Sequence, residues 1–254
     1  MEIIKKFEKT YHVHIYETGP DSKVTLASLF NYMHDIASDH AEILGFGRGD
    51  LGENNQIWVL SKMYGEFYDY PKWTDKVHLT TWPAGTEKMF FQRNYKLEYP
   101  DGRKIADVSS SWLIIDKTTK RIQRPTHLPI YNEVSYISED FIREANRLDW
   151  DPSNLTTQQK FDIKIGDLDM NIHTNNVNYI KWIINSYDLN FISKYSPKSI
   201  EINYLAESMF GNEIELKSAK DDCMDSKHMH SVFDITNNKE VCRAEIVWKE
   251  KNDF

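Results

Sequence analysis

The sequence predicts an α+β protein built of two similar halves, each an antiparallel sheet packed on one amphipathic helix. Three observations predict it: an internal repeat at a nearly constant offset, a helix-period apolar stripe in each half, and strand-length segments with tight-turn signals after each stripe. Residues 73–81 slide by 137 onto 210–218, so that Trp73 falls on Phe210 and Leu79 on Leu216. Tyr95 falls on Val232 at the same shift, and Asp101-Gly-Arg-Lys104 falls on Asn237-Asn-Lys-Glu240 at 136. Identity is low, but strand, turn and strand keep their order.

In the first half Leu26, Leu29, Phe30, Met33, Ile36 and Ala37 share one helical face, and Gly45 and Gly47 supply the stop. In the second, Val177, Ile180, Ile183, Ile184, Tyr187 and Phe191 repeat the stripe, with Asn175 and Asn176 where a cap belongs. The first half carries about a dozen extra residues near 48–55, between its helix and its strands. Strands are expected at 57–66, 76–82, 90–99 and 104–116, then at 199–207, 213–219, 228–236 and 240–250. Tyr99-Pro-Asp-Gly-Arg103 and Thr236-Asn-Asn-Lys239 read as hairpin turns. Residues 137–151 read as a charged helical connector, capped at Ser138 and ended by Pro152. The expected domains are therefore 1–136 and 153–254, joined by 137–152.

Composition narrows the function. With 7 Trp, 14 Tyr and 12 Phe the 254-residue chain has ample core material, so disorder is excluded as its main state. A net charge of −8 argues against nucleic acid as partner. No apolar run approaches the roughly 18 residues of a membrane helix, so stable membrane insertion is not expected. The N-terminal residues hold no apolar segment of signal-peptide length, and Cys223 and Cys242 make no disulfide framework. Both point to a cytoplasmic location. P-loop, G-x-G-x-x-G, EF-hand and C-x-x-C patterns are absent.

The densest chemistry lies in 166–180, Gly-Asp-Leu-Asp-Met-Asn-Ile-His-Thr-Asn-Asn-Val-Asn-Tyr-Ile. Asp167, Asp169, Asn171 and His173 recur at every second residue, which in extended or loop backbone puts them on one side. Asn175 and Asn176 then open a helix, whose unpaired N–H groups and positive dipole end suit an oxyanion. Capping alone accounts for one or two of these polar residues. A metal at Asp169 and His173 lacks a convergent ligand set, so no metal is expected.

The stretch D-L-D-M-N-I-H-T-N-N-V-N-Y-I-K-W, together with the tandem repeat, resembles the acyl-acyl-carrier-protein thioesterases of plants and bacteria. The resemblance runs along nearly the whole chain. It implies two tandem hotdog domains, each a sheet wrapped around a long helix, and hydrolysis of the thioester of a fatty acyl group on acyl carrier protein. It implies catalytic roles for Asp169, Asn171 and His173, and it places the family's further acid at Glu207 in Tyr204-Leu-Ala-Glu-Ser208. Ser208 stands where the family often has Cys, so a thiol nucleophile has no place here. No cofactor or metal is implied. The family's division of labour makes the first domain the acyl-binding one, with Trp58 and Met63 among the candidate wall residues, and the second the catalytic one. At the matching place the first half reads Gly19-Pro-Asp-Ser-Lys-Val-Thr25, without His. Acyl carrier proteins are acidic, and Lys117, Lys120, Arg121 and Arg124 form a run of cations without an acid for one to dock on. A homodimer is compatible with all of this. The competing readings are a hotdog acyl-CoA thioesterase or related hydratase, and a hotdog acyl-binding module without catalysis.

Overall fold

The computed structural model describes residues 4–128, 130–135, 142–221 and 223–251. It divides into two units, Met1–Ala145 and Asn146–Phe254. The first holds strands β1 (Phe7–His12), β2 (Gln56–Phe67), β3 (Lys76–Glu87), β4 (Phe90–Glu98) and β5 (Lys104–Asp116). They form an antiparallel array in the order β1-β3-β4-β5-β2. Helix α1 (Leu26–Ile43) packs against it, with α2 (Arg48–Glu53) and α3 (Ile130–Val134) beside it.

The physics of α1 follows its stripe. Thr25 caps the start by accepting the Ser28 N–H at 3.1 Å. Leu29, Phe30, Met33 and Ile36 are fully buried, each burial stabilising the fold by roughly 1.5–3 kcal/mol. Gly45, at φ 75°, takes the left-handed turn that ends the helix.

The second unit repeats the plan with β6 (Thr156–Asp162), β7 (Tyr195–Tyr204), β8 (Glu213–Lys220), β9 (Lys227–Asp234) and β10 (Lys239–Glu250), ordered β7-β10-β9-β8-β6. Its helix α4 (Asn176–Asn185) stops earlier than the stripe suggests. Asp188 caps a separate short helix α5 (Leu189–Lys194), accepting the Phe191 N–H at 2.7 Å. Tyr187 and Phe191 thus leave the α4 face and stack on each other, with ring centroids 4.7 Å apart. Among the described residues no helix is long and apolar enough to cross a membrane.

Strands β1 and β6 were not among the expected strands. Both are edge strands rich in Lys, Thr, Gln and Glu with alternating burial, a pattern that protects an edge and hides the strand from a hydrophobicity reading. The two hairpin turns form where expected, with Gly102 at φ 84° and Asn238 at φ 50°.

The expected connector helix is a difference. Residues 136–141, including Ser138, lie outside the described residues, and 142–150 have no regular secondary structure. Ile142, Ala145 and Leu148 are buried at three-residue spacing, as the helical reading requires. Their backbone, however, is claimed by sheet side chains. In the first unit Ser109 Oγ donates to Arg143 O at 2.7 Å and Lys62 Nζ to Ala145 O at 2.9 Å. In the second, the Asn146 N–H donates to Glu201, the Leu148 N–H to Asn203 Oδ1 at 2.8 Å, and Arg243 to Trp150 O at 2.8 Å. Side-chain partners replace the helical ladder, so the segment lies as a strap. Pro152 begins a 3-10 turn, Pro152–Asn154, capped by Asp151.

The core carries two wholly buried histidines that set a pH dependence. His40 accepts from Arg93 at Nδ1 (3.1 Å) and so donates from Nε2 to Ile4 O (2.8 Å), a neutral tautomer fixed at both ends. Burial pushes it down to about 4 and pushes His230 down to about 3. The unfolded value is near 6.5. Between that pH and the folded values the unfolded chain holds protons that the folded chain does not, so stability is complete above pH 6.5 and is lost as pH falls. Each group contributes about 1.4 kcal/mol per pH unit in that window. Urea titrations should give a lower midpoint at pH 5 than at pH 7.5, with a shallower pH dependence in His230→Gln. An unchanged midpoint contradicts this reading.

Candidate active site

The motif is built by a turn. After the 3-10 turn Ile165–Asp167, the Asp169 N–H donates to His173 O at 2.8 Å and the Ile172 N–H to Asp169 O at 3.0 Å. Ile172 pays for the tightness with a left-handed φ of 65°. The Asp169 carboxylate fills the turn: Oδ1 accepts the N–H groups of Asn171 (2.7 Å) and His173 (3.2 Å), and Oδ2 accepts Asn171 Nδ2 (3.2 Å). Its hydrogen bonds therefore go to the backbone of His173 and to Asn171. Asp167 serves the scaffold, its carboxylate accepting the Lys164 N–H at 2.8 Å and its carbonyl the Asn175 N–H at 2.8 Å.

His173 is joined to Met209 by an isolated antiparallel bridge. That bridge brings in Glu207, whose Oε1 lies 3.6 Å from His173 Nδ1, close enough for charge pairing and long for a hydrogen bond. The two side chains are 23% and 37% exposed, so reactants and water can reach them. Glu207 was expected on a strand, but β7 ends at Tyr204 and Glu207 sits in the loop beyond. Ser208, next to Glu207, is fully buried. Its Oγ lies 2.7 Å from the Tyr179 hydroxyl and 2.9 Å from Thr174 Oγ1. Around the pair the chain leaves apolar side chains in solvent: Met170, Ile172, Leu205, Met209 and Phe210 are each 48% exposed or more.

The helix start is less open than the sequence suggests. Asn175 Oδ1 accepts the Val177 N–H at 3.0 Å, and Asn175 O accepts the Asn178 N–H at 2.8 Å. The Val177 and Asn178 N–H groups are thus held within the cap itself. Asn176 O accepts from the Tyr204 hydroxyl at 3.3 Å. Among the described residues no group of three His, Cys, Asp or Glu is placed to hold a metal ion.

The first unit contains the same turn without the chemistry. Shifted by 150 before the helix and 137 after it, Gly19, Lys23 and Tyr70 occupy the places of Asp169, His173 and Glu207. The Gly19 N–H donates to Lys23 O at 2.8 Å, Ser22 has φ 59°, and Lys23 bridges to Lys72 as His173 bridges to Met209. The scaffold is duplicated, and the His–Glu pair is not.

The remaining predicted residues all fall in the first unit. Met63 is fully buried in its core, and Trp58 is half-buried, its Nε1 donating to Phe46 O at 2.9 Å and its ring edge-on to Phe91. Lys117, Lys120, Arg121 and Arg124 are exposed at the β5 turn. Asp116 Oδ1 builds that turn, accepting the N–H groups of Thr118 and Thr119 at 3.0 and 2.7 Å. Arg124 also borders an open hollow of 460 Å³ lined by Thr86, Lys88, Met89 and Asn132. The structure thus joins Asp169, Asn171, His173 and Glu207 into one cluster, while the cationic run and the two wall candidates form separate features. The partners that sequence reasoning missed are Thr174 and Tyr179. Both lie inside the polar motif, but only the fold shows that their hydroxyls meet that of Ser208.

Comparison with known proteins identifies the family. The family model described as acyl-ACP thioesterase N-terminal domain matches residues 4–128, and that of the acyl-ACP thioesterase C-terminal domain matches 151–250. An oleoyl-acyl carrier protein thioesterase of Arabidopsis thaliana is 25% identical over 97% of this chain and 77% of its own length. A palmitoyl-acyl carrier protein thioesterase of the same plant is 25% identical over 96% of this chain, which spans 64% of that relative. Both relatives are named as chloroplastic. A crystal structure of an acyl-ACP thioesterase from Bacteroides thetaiotaomicron superimposes with a TM-score of 0.86 at 22% identity, covering 96% of this chain and 98% of that one. The 12:0-ACP thioesterase from Umbellularia californica gives 0.81 at 20% identity, covering 97% and 98%. At such identities the superpositions establish the fold, two hotdog units in tandem. With one family domain matched on each repeat, the chain belongs to the acyl-ACP thioesterase family.

Proposed function

We propose that this protein hydrolyses the thioester of fatty acyl-acyl carrier protein, releasing free fatty acid and ending chain elongation. The observation that carries the reading is the accessible His173–Glu207 pair in the unit matched by the C-terminal family domain. The thioester carbonyl is electrophilic and thiolate is a good leaving group, so the chemistry needs a positioned water, a base and an oxyanion donor. Glu207 takes a proton from water as the oxygen attacks the carbonyl carbon. The Asn171 amide stabilises the oxyanion. On collapse the C–S bond breaks, and the proton passes through His173 to the departing carrier thiolate. Asp169 holds the turn that presents Asn171 and His173. Atoms balance with water as the only co-reactant, and no cofactor enters.

In this reading the second unit, from 153 onward, carries catalysis, and the first, up to 136, binds the acyl chain, with Trp58 and Met63 near it. The exposed Met and Phe side chains around the pair suit an apolar substrate. Lys117, Lys120, Arg121 and Arg124 make no ion pair with a described residue, which suits docking of an acidic carrier. The location we assign is cytoplasmic. It is supported by unpaired cysteines, Cys223 exposed and Cys242 buried.

A product assay with matched acyl-ACP and acyl-CoA panels tests the assignment. Free fatty acid should appear faster from acyl-ACP. Equal or faster CoA turnover supports the acyl-CoA thioesterase reading, and no release from either supports a binding module.

Three sets of variants test the residue roles. Glu207→Gln should lower kcat by about 10²-fold or more. Ser208→Ala should cost about tenfold at most, since a buried hydroxyl held by Tyr179 and Thr174 is no nucleophile. The reverse order, in variants with unchanged thermal melts, makes Ser208 the nucleophile. Charge reversal at Lys120 and Arg121 should raise KM for acyl-ACP several-fold with kcat kept. The rise should shrink at high salt. An unchanged KM at low salt removes this segment from docking.

A further inference from the structure

Among the described residues, Ser208, Thr174 and Tyr179 form a directed chain of hydroxyls. Thr174 Oγ1 donates to Ser208 O at 3.1 Å, Ser208 Oγ donates to Thr174 Oγ1 at 2.9 Å, and Tyr179 OH lies 2.7 Å from Ser208 Oγ. Each hydroxyl has one proton. With the Ser208 and Thr174 protons so used, the short Tyr179 contact requires Tyr179 to be the donor. The chain then runs from Tyr179 through Ser208 and Thr174 to the Ser208 carbonyl. The Thr174 N–H donates to the same carbonyl at 3.0 Å. Ser208 and Thr174 are 0% and 5% exposed, and Tyr179 is 2% exposed.

The positions matter more than the bonds. Thr174 directly follows His173, and Ser208 directly follows Glu207. The chain therefore fastens together the two backbone segments that present the reactive pair, one residue deeper than the pair itself. Those segments meet by an isolated bridge, outside any strand.

The duplicated first unit is an internal control. The Val24 N–H donates to Pro71 O at 2.7 Å, the counterpart of Thr174 to Ser208. At the places of Thr174, Ser208 and Tyr179 stand Val24, Pro71 and Leu29, with no side-chain hydroxyl among them. The turn and its bridge thus form without the hydroxyl chain. Only the unit that bears His173 and Glu207 has it. Folding alone does not ask for three buried hydroxyls here, and burying them without mutual bonds is costly.

We propose that Tyr179, Ser208 and Thr174 are positioning residues that hold Glu207 at its working distance from His173. This deepens, and rests on, the thioesterase reading. A displacement of about 1 Å in a catalytic group costs up to about 10²-fold in rate, so a loosened chain lowers turnover and leaves substrate binding alone.

The test measures kcat and KM on the acyl-ACP that the wild type turns over fastest, with thermal melts, for Tyr179→Phe, Thr174→Val, Thr174→Ser and the double variant Tyr179→Phe/Thr174→Val. The proposal expects kcat about tenfold lower in Tyr179→Phe and Thr174→Val with KM within about twofold. It expects near wild-type kcat in Thr174→Ser, which restores the hydroxyl, and a double variant no worse than the poorer single one. A merely structural role moves the melting temperature and leaves kcat of the folded protein, so wild-type kcat in both single variants overturns the proposal. Equal losses in Thr174→Val and Thr174→Ser overturn it too, because the hydroxyl then does nothing. A wild type that releases no fatty acid from any acyl-ACP ends the thioesterase reading itself and this proposal with it, an outcome distinct from active wild type with unaffected variants.

Discussion

One short bridge organises the chemistry of this chain. The backbone of His173 pairs with that of Met209, and the Thr174 N–H meets the Ser208 carbonyl at 3.0 Å. Without that contact His173 belongs to the loop after β6 and Glu207 to the loop after β7, some thirty residues apart in sequence. Both loops start from strands of a sheet, and the helix between them buries Val177, Tyr179, Ile180 and Ile183. Sheet and helix therefore set where the loop ends can meet, and the bridge joins them there. The imidazole and carboxylate then sit 3.6 Å apart, partly open to solvent.

The duplicated architecture separates what the fold needs from what the chemistry adds. The 3-10 turn, the left-handed residue at Ser22 or Ile172, and the bridge to Lys72 or Met209 occur in both units. Fold therefore explains the turn. In the first unit it carries Lys23 and Tyr70, and Tyr70 is buried, its hydroxyl driven well above its ordinary range by burial and by the Asp21 charge. In the second it carries an accessible His and Glu. The same scaffold supports a silent turn in one unit and a candidate active site in the other, the usual relation between a fold and its function.

Much of this was legible in the sequence, for identifiable reasons. The repeat offset and the helical stripes reflect burial on one face, which leaves a periodic trace. The motif at Asp169, Asn171 and His173 is local, so its residues are visible together. Glu207 is different. It lies past the end of β7, where strand alternation carries no information, and only the family resemblance singled it out. The hydroxyl chain was hidden because Thr174 and Ser208 are 34 positions apart, Tyr179 and Ser208 are 29 apart, and neither Thr174 nor Tyr179 looks unusual alone. The strap at 142–150 misled for the opposite reason. Its apolar spacing is helical, but Ser109, Lys62, Asn203 and Arg243 supply the hydrogen bonds that a helix would otherwise have made.

The central claim is that His173 and Glu207 act as one unit on the thioester. A double-mutant cycle in kcat/KM on acyl-ACP, with His173→Ala, Glu207→Gln and the pair combined, reads that directly. Groups that share one task lose it once, so the combined variant should be no more than a few-fold worse than the poorer single variant. If the two losses instead multiply in full, in variants that melt like the wild type, His173 and Glu207 work independently and the account of the site is wrong.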